Sequence, residues 1–405
     1  MPEVAQPRYD PEEGRALRRG PPPPPPEPGA VRVGFLAPLS GPLAKIGQAM
    51  LQAAEMAVFD LAGPNFELLP YDTGGRPEQA ERAARTAMAD ACTLFLGPLL
   101  SADVLAASPI AAPARIAVIA FSSDRKIASD NVFVLGFTPE TEVERIVRFA
   151  SQQGRNRLAV LAPDDAYGAA VMRVAKAVAE ASAVTVVAME TYPTTTTDFA
   201  ETVRKLPGVH PQAPAAASGI LPASGGATPA NPNAGMLMTP QAVVPVLPSF
   251  DALLIADGGD RLKAIAAQLP THGITPDQIQ ILGTGAWDEP GLGSEQGLVG
   301  AWYAAPDPAF RRDFERTYQA LFGSRPHRLA TIAYDATAMA ALLARDRPQS
   351  AYQRAAISDP SGFLGRDGLF RFNGDGTVDR RLAVLRVDRD SVTVISAAEE
   401  SFAGM

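Results

Sequence analysis

Few residues in this chain could do covalent or metal chemistry, and their spacing is wrong for it. The three histidines are His210, His272 and His327, and none stands at metal-ligand spacing from another. No Gly-x-Ser-x-Gly run offers a nucleophile elbow. The single cysteine, Cys92, lies in the apolar run from Cys92 to Gly97 and reads as a buried structural thiol rather than a reactive one. Asn373-Gly-Asp-Gly-Thr-Val-Asp379 has the oxygens of a calcium loop but lacks the EF-hand order and terminal glutamate, and hairpin turns explain its glycines. No catalytic residue, metal or cofactor is therefore expected. Polar chemistry remains at strand-to-helix turns: Ser101, Ser122 and Ser123 stand where a serine caps a helix or holds a ligand.

The elements that position these turns follow from periodicity. Val31–Ala37 is a short apolar run that reads as a buried strand, and apolar residues then recur at helical spacing through Met50, Ala54, Ala57, Val58 and Leu61. Strand Phe66–Tyr71, helix Pro77–Asp90, strand Thr93–Leu96, a helix from Ala102 and strand Ala117–Phe121 complete one unit. The alternation then restarts with helix Glu140–Gln153, strand Leu158–Ala162, helix Tyr167–Ala181 and strand Val184–Met189. Strand Ala252–Ala256, helix Asp260–Leu269 and strand Gln280–Leu282 continue it, and Arg311–Phe322 and Leu329–Ala344 are late helices. Strands alternating with helices of this length imply βαβ units and a parallel sheet, so the expected fold class is α/β with two doubly wound lobes. The end, Gly368–Phe372 and Leu382–Val387, reads as antiparallel strands joined through Asn373-Gly and Asp375-Gly turns.

The chain has 405 residues, room for two lobes plus tails, with 46% hydrophobic and 20% charged residues. A net charge of -8 argues against nucleic acid as a partner, and no apolar run is long enough to span a bilayer. Residues 1–30 read as a tail in which Pro21–Pro26 form a stiff spacer. Residues 207–248, dense in Pro, Ala, Gly and Ser, read as a mobile insertion with an apolar later part. Met1-Pro-Glu-Val opens no export signal and no lipobox cysteine follows, so the chain is cytosolic or begins after its export signal.

Several motifs share an order that resembles the leucine/isoleucine/valine-binding protein family, type I periplasmic binding proteins. They are Phe35-Leu-Ala-Pro-Leu-Ser-Gly-Pro-Leu-Ala44 with Gly47, Gly97-Pro-Leu-Leu-Ser101, Asp165-Ala-Tyr-Gly168, Tyr192-Pro with Asp198-Phe199, Tyr334-Asp335 and Phe372-Asn-Gly-Asp-Gly376. The resemblance runs from about residue 31 to the C-terminus and implies two lobes joined by a three-strand hinge. Lobe one would hold residues 31–136 and about 302–345, and lobe two 137–301 and about 346–398.

The resemblance also implies a ligand cleft. In the family a serine hydroxyl and backbone amides of the first lobe hold the ligand carboxylate. Ser101 falls on that serine, Ser40 lies in the first loop, and Ser122, Ser123 and Asp124 fall on the next contacts. Asp124 brings a negative charge where the family usually has threonine, which opposes a ligand carboxylate unless Arg125 or Lys126 neutralises it. In the second lobe Tyr167 matches an aromatic cleft residue, Gly258 replaces a tyrosine, and Gly285 replaces the glutamate that reads an ammonium group. Asp257 could substitute as the acid and Trp287 could give a stacking face.

Within this fold, Phe121-Ser-Ser-Asp-Arg125, Gly283-Thr-Gly-Ala-Trp-Asp288 and the proline-rich tail resemble proteins called penicillin-binding protein activators. That resemblance implies an envelope protein, periplasmic or associated with the outer membrane, whose partner is a cell-wall (peptidoglycan) synthase. The alternative is the solute-binding subunit of an ABC importer, with an amino acid or related small molecule as its ligand.

Overall fold

The computed structural model describes residues 29–209, 248–346 and 350–402. The proline run and most of the Pro/Ala/Gly-rich insertion lie outside these residues. The chain divides into two compact units, and two doubly wound α/β sheets are present, as the periodicity predicts. The first unit runs to Arg145 and adds Ala304–Leu385 and the residues from Val394 on, while the second holds Ile146–Tyr303 and Arg386–Thr393.

The first unit is built on a parallel sheet of β1 (Val31–Ala37), β2 (Phe66–Asp72), β3 (Leu94–Leu96), β4 (Ala117–Ala120) and β5 (Val132–Val134), in the order β2-β1-β3-β4-β5. Successive side chains of a strand point to opposite faces, and both faces are covered here, so the strands read as continuous apolar runs. Phe35, Leu94, Leu96 and Ile119 face α1 (Ala44–Leu61) and the long buried helix Ala330–Asp346. Leu36, Phe95, Val118 and Val134 face α2 (Pro77–Ala89) and α3 (Ser101–Ala111), which meet them with alanines. Gly97 ends β3 with φ +91°, and a Cβ there would lie 2.0 Å from the Leu36 carbonyl oxygen. Only glycine lets the chain turn this close to β1 and deliver Ser101 to the head of α3.

The second unit holds α4 from Ile146 on (the helix runs Pro139–Gln152), β6 (Arg157–Pro163), α5 (Ala166–Ala181), β7 (Thr185–Tyr192), α6 (Ala200–Arg204), β8 (Ala252–Ile255), α7 (Gly259–Gln268) and β9 (Gln280–Gly283). Its sheet runs β15-β14-β10-β9-β8-β6-β7, where β10 is Trp302–Ala305, β14 Ala383–Val387 and β15 Val392–Ser396. Strands β6 to β10 pair in parallel. Where the insertion departs and returns, the Ser249 N–H donates to the Pro207 carbonyl at 3.1 Å.

Two expectations change at the C-terminus. Residues 346–385 belong to the first unit rather than the second. The reason is burial: Phe370 and Phe372 of β12 (Gly368–Phe372) and Val378 of β13 (Val378–Arg380) enter the core of the first sheet. The hairpin partner of β12 is β13, with β11 (Phe363–Gly365) on the other edge, while β14 joins the seven-stranded sheet. The chain passes between units after residues 145, 303, 385 and 393, the last two points falling within β14 and β15.

One buried group is out of balance. Asp103, in the first turn of α3, is fully buried, and neither carboxylate oxygen has a hydrogen-bond partner of normal geometry among the described residues. Burial pushes its pKa up to about 6; the Thr73 hydroxyl restrains the rise and the Glu78 charge adds to it. The folded state thus holds this proton at pH values where the unfolded chain has released it. Stability falls as pH rises through this window, and the loss is complete by about pH 7. Relative to the native chain, Asp103→Asn should gain melting temperature from pH 4 to pH 7, with the change complete by about pH 7; parallel profiles for the two proteins would contradict this.

Candidate functional site

Ligands of open parallel sheets sit beyond the C-terminal ends of the strands, where helices begin. In the first unit those ends carry the serines. Asp72 closes β2 and gathers the loop after β1: its Oδ1 accepts N–H bonds from Leu39 at 2.8 Å, Ser40 at 3.1 Å and Gly74 at 2.7 Å. The Ser40 hydroxyl donates to Asp72 Oδ2, which also accepts from Gln79. Ser40 thus holds its own loop in shape.

Ser101 and Ser122 are brought together, with their Oγ atoms 2.9 Å apart. Ser101 is the first residue of α3 and half-buried, whereas Ser122, which follows β4, is buried. The Asp124 N–H donates to Ser122 Oγ at 3.1 Å. Either hydroxyl of the pair can be the donor. Hydrogen bonds in a chain polarise one another, so the two serines and the Asp124 N–H act as one connected polar group. Leu100 stands at the N-cap of α3, where it gives no side-chain cap, so the orphan N–H groups of this helix head add to the donor set. Asp124 is turned into its own short turn, where Oδ1 accepts from the Lys126 N–H at 3.0 Å. Arg125 reaches Thr377 Oγ1 at 2.9 Å instead of Asp124. Ser123 is exposed beside them.

The second unit arranges its strand ends differently. Tyr167, in the first turn of α5, shares a hydrogen bond with Thr284 Oγ1 at 2.7 Å. Asp257, after β8, is 5% exposed and accepts the Tyr192 hydroxyl at 2.6 Å, its neighbour Gly258 N–H at 2.8 Å, and both Nε and Nη2 of Arg261 at 2.7 and 2.9 Å. Its charge is fully engaged. That carboxylate keeps Arg261 above its usual range, and burial with Asp257 pushes the Tyr192 phenol up. Helix heads here are filled by the protein's own acids: Asp165 accepts the Gly168 N–H at 2.9 Å and Glu289 the Gly259 N–H at 2.7 Å.

Trp287 corrects an expectation. It is fully buried, its indole N–H donates to the Ile255 carbonyl at 3.2 Å, and it packs 6.1 Å from Tyr303. A Cβ on Gly283 would lie 2.2 Å from the indole, so that glycine exists to admit the ring. Trp287 is a core residue and offers no stacking face. Asp257 likewise offers no free acid. Gly258 is the N-cap of α7, and a side chain there would meet the Ala286 carbonyl at 2.5 Å.

Sequence reading missed Arg261, although the Asp257–Arg261 spacing of four at a helix start was a usable signal. Asp72 and Thr284 carried no local signal. In the turn from Asn373 to Asp379, Asp375 Oδ1 accepts from Thr377 and Asp379 Oδ1 from Asn373. Among the described residues no group of three or more acidic, cysteine or histidine side chains could hold a metal. No described helix is long and apolar enough to cross a membrane. Removing Arg261 would strand the Asp257 charge. Arg261→Ala should cost about 1–2 kcal/mol, with part recovered in Arg261→Ala/Asp257→Asn, because uncompensated burial rather than lost contact is the penalty. Urea unfolding of the single and double variants measures this, and strictly additive losses would refute it.

Comparison with known proteins places the fold. Residues 30–391 match the family model described as periplasmic binding protein. A branched-chain amino acid ABC transporter protein from Rhodospirillum rubrum is 18% identical with a TM-score of 0.72, covering 90% of this chain and 100% of its own. The solute binding protein of an ABC transporter from Rhodopseudomonas palustris, solved with 3,4-dihydroxybenzoic acid, is 18% identical with a TM-score of 0.64 over 92% and 99%. The branched-chain amino acid transporter substrate binding protein of Streptococcus pneumoniae, solved with isoleucine, is 17% identical with a TM-score of 0.61 over 91% and 100%. No curated protein matches the chain. With nearly its whole described length matched, the chain belongs to the periplasmic binding protein family.

Proposed function

We propose that the protein is a solute-binding receptor outside the cytoplasm that captures a small organic carboxylate for an ABC importer. The observation that carries this reading is the Ser101–Ser122 pair at the uncapped head of α3. The two hydroxyls lie beside orphan helix N–H groups, a donor set suited to a carboxylate. The similar structures solved with isoleucine and with 3,4-dihydroxybenzoic acid hold ligands that share this group. In the second unit Asp257 is already neutralised by Arg261, so that carboxylate offers no free charge to a ligand.

The reading as an activator of a cell-wall synthase has weaker support. Two of the motifs behind it serve internal roles: Trp287 is core, and Arg125 binds Thr377. The names of the similar structures point to transport.

A melting screen against leucine, isoleucine, benzoate and 3,4-dihydroxybenzoate tests the proposal. One of them should stabilise the protein in proportion to the logarithm of its concentration. Ser101→Ala should then weaken binding about 10- to 100-fold, since a hydrogen bond to a charged group contributes roughly 1.5–3 kcal/mol. Ser122→Ala should weaken it less, because Ser101 then loses only its hydrogen-bonded neighbour. No response to any of these carboxylates would turn attention to a protein partner.

A further inference from the structure

The helix head that carries Ser101 also carries a buried acid. With Leu100 at the N-cap, Ser101, Ala102 and Asp103 are the first three residues of α3. The first bond of the helix runs from the Val104 N–H to the Leu100 carbonyl at 3.0 Å, so the N–H groups ahead of it are the orphan donors of this head. An acid at the third position ordinarily turns back to cap its own helix. Asp103 does not: it is fully buried, and both oxygens lack a hydrogen-bond partner of normal geometry among the described residues. Nor is a cation set against it. On α2, which packs against α3, Glu78 lies in the first turn, Glu81 and Arg85 pair with each other, and Arg82 is exposed. Ahead of α2, Arg76 is exposed and holds Gln79 Oε1 at 3.0 Å, while Asp72 gathers the loop after β1. Beyond β4, Asp124 is held in its own turn, Arg125 reaches Thr377 and Lys126 is exposed; β3 and β4 bring only apolar residues. Of these charges Glu78 alone acts on the Asp103 carboxyl, and it repels the ionised form.

We propose that Asp103 couples the head of α3 to protons: the site holds a carboxylate tightly while Asp103 is protonated and loosens its hold when Asp103 ionises. This coupling rests on the reading of the Ser101–Ser122 pair as a carboxylate site, and adds its regulation. The physical cause is competition for one positive helix end. A neutral Asp103 leaves the orphan N–H groups and the helix dipole to the ligand. An ionised Asp103 places a negative charge in the same first turn, where it takes up that positive potential and repels a second anion. By linkage a bound carboxylate must favour the protonated acid to the same degree, so the complex keeps the proton to higher pH than the free protein does. The free protein releases it near pH 6, so affinity is highest below that value and falls as pH rises through it. A core acid that lowers stability at neutral pH, one turn from a donor set, is the kind of local cost that functional sites carry.

Titration calorimetry of the full-length protein with leucine, isoleucine, benzoate and 3,4-dihydroxybenzoate tests this, since their carboxyls stay ionised between pH 5.5 and pH 8. The one that binds should do so about tenfold more weakly at pH 8 than at pH 5.5, within the usual span of such couplings. Asp103→Asn mimics the protonated acid and should bind equally at both pH values, with the affinity the native chain shows at pH 5.5. A second measurement needs no variant: titrations at pH 6.5 in two buffers of different ionisation enthalpy should show roughly half a proton taken up on binding. Equal affinity at both pH values without proton uptake would overturn the coupling and leave the carboxylate site standing. The same pH dependence in Asp103→Asn would overturn it too, by assigning the proton to another group. Absence of binding by all four at either pH would remove the site itself, and the coupling with it.

Discussion

A helix that follows a strand of a parallel sheet begins with backbone N–H groups that have no carbonyl in the helix, and these must find an oxygen elsewhere. That requirement organises both units. In the second, Asp165 and Glu289 supply the oxygen at the heads of α5 and α7, and Thr284 Oγ1 accepts from Ala286 at the turn after β9. In the first, Leu100 leaves the head of α3 without a side-chain cap, with Ser101 and Ser122 beside it. The two units thus differ in how their helix heads are satisfied, by acids of the chain in the second and by no side-chain cap at α3 in the first.

Burial of charge follows the same logic of completed valence. Asp257 is tolerated because four donors converge on it. Asp335, also buried, takes the N–H groups of Arg366 and Asp367, and burial with the Asp367 charge holds its carboxyl well above the usual range. Asp367 is met in turn by Arg328 at 3.1 Å. Such groups contribute little net stability but fix geometry, since each makes sense only in one arrangement. Asp103 is the exception, a carboxylate in the core with no such convergence.

Much of the architecture was legible because the strands are buried on both faces and the helices are amphipathic. Val31–Ala37 and Gly368–Phe372 match their expected limits. Short elements escaped: β5 and β13 have three residues each, too few for any period to show. At the site, Ser101 and Ser122 were singled out and are in contact. Trp287 was assigned to a ligand because an aromatic in a glycine loop has the same pattern whether the ring faces in or out; burial is a tertiary fact. The acid at Asp257 looked available because its neutralising partners, Tyr192 and Arg261, come together only on folding. The C-terminal segment was assigned to the wrong unit for the same reason, since its phenylalanines match any apolar core and only packing selects one.

The bond between Ser249 and Pro207 bears on how this chain tolerates change. It brings Pro207 and Ser249 beside one another, just before β8 begins. Closing a flexible loop grows costlier only slowly with length, by about 0.6 kcal/mol for each doubling. The junction can therefore accept or discard whole stretches of sequence without disturbing the register of β6 and β8. It is a natural graft point, at which evolution or an engineer could attach a second domain while leaving both sheets intact.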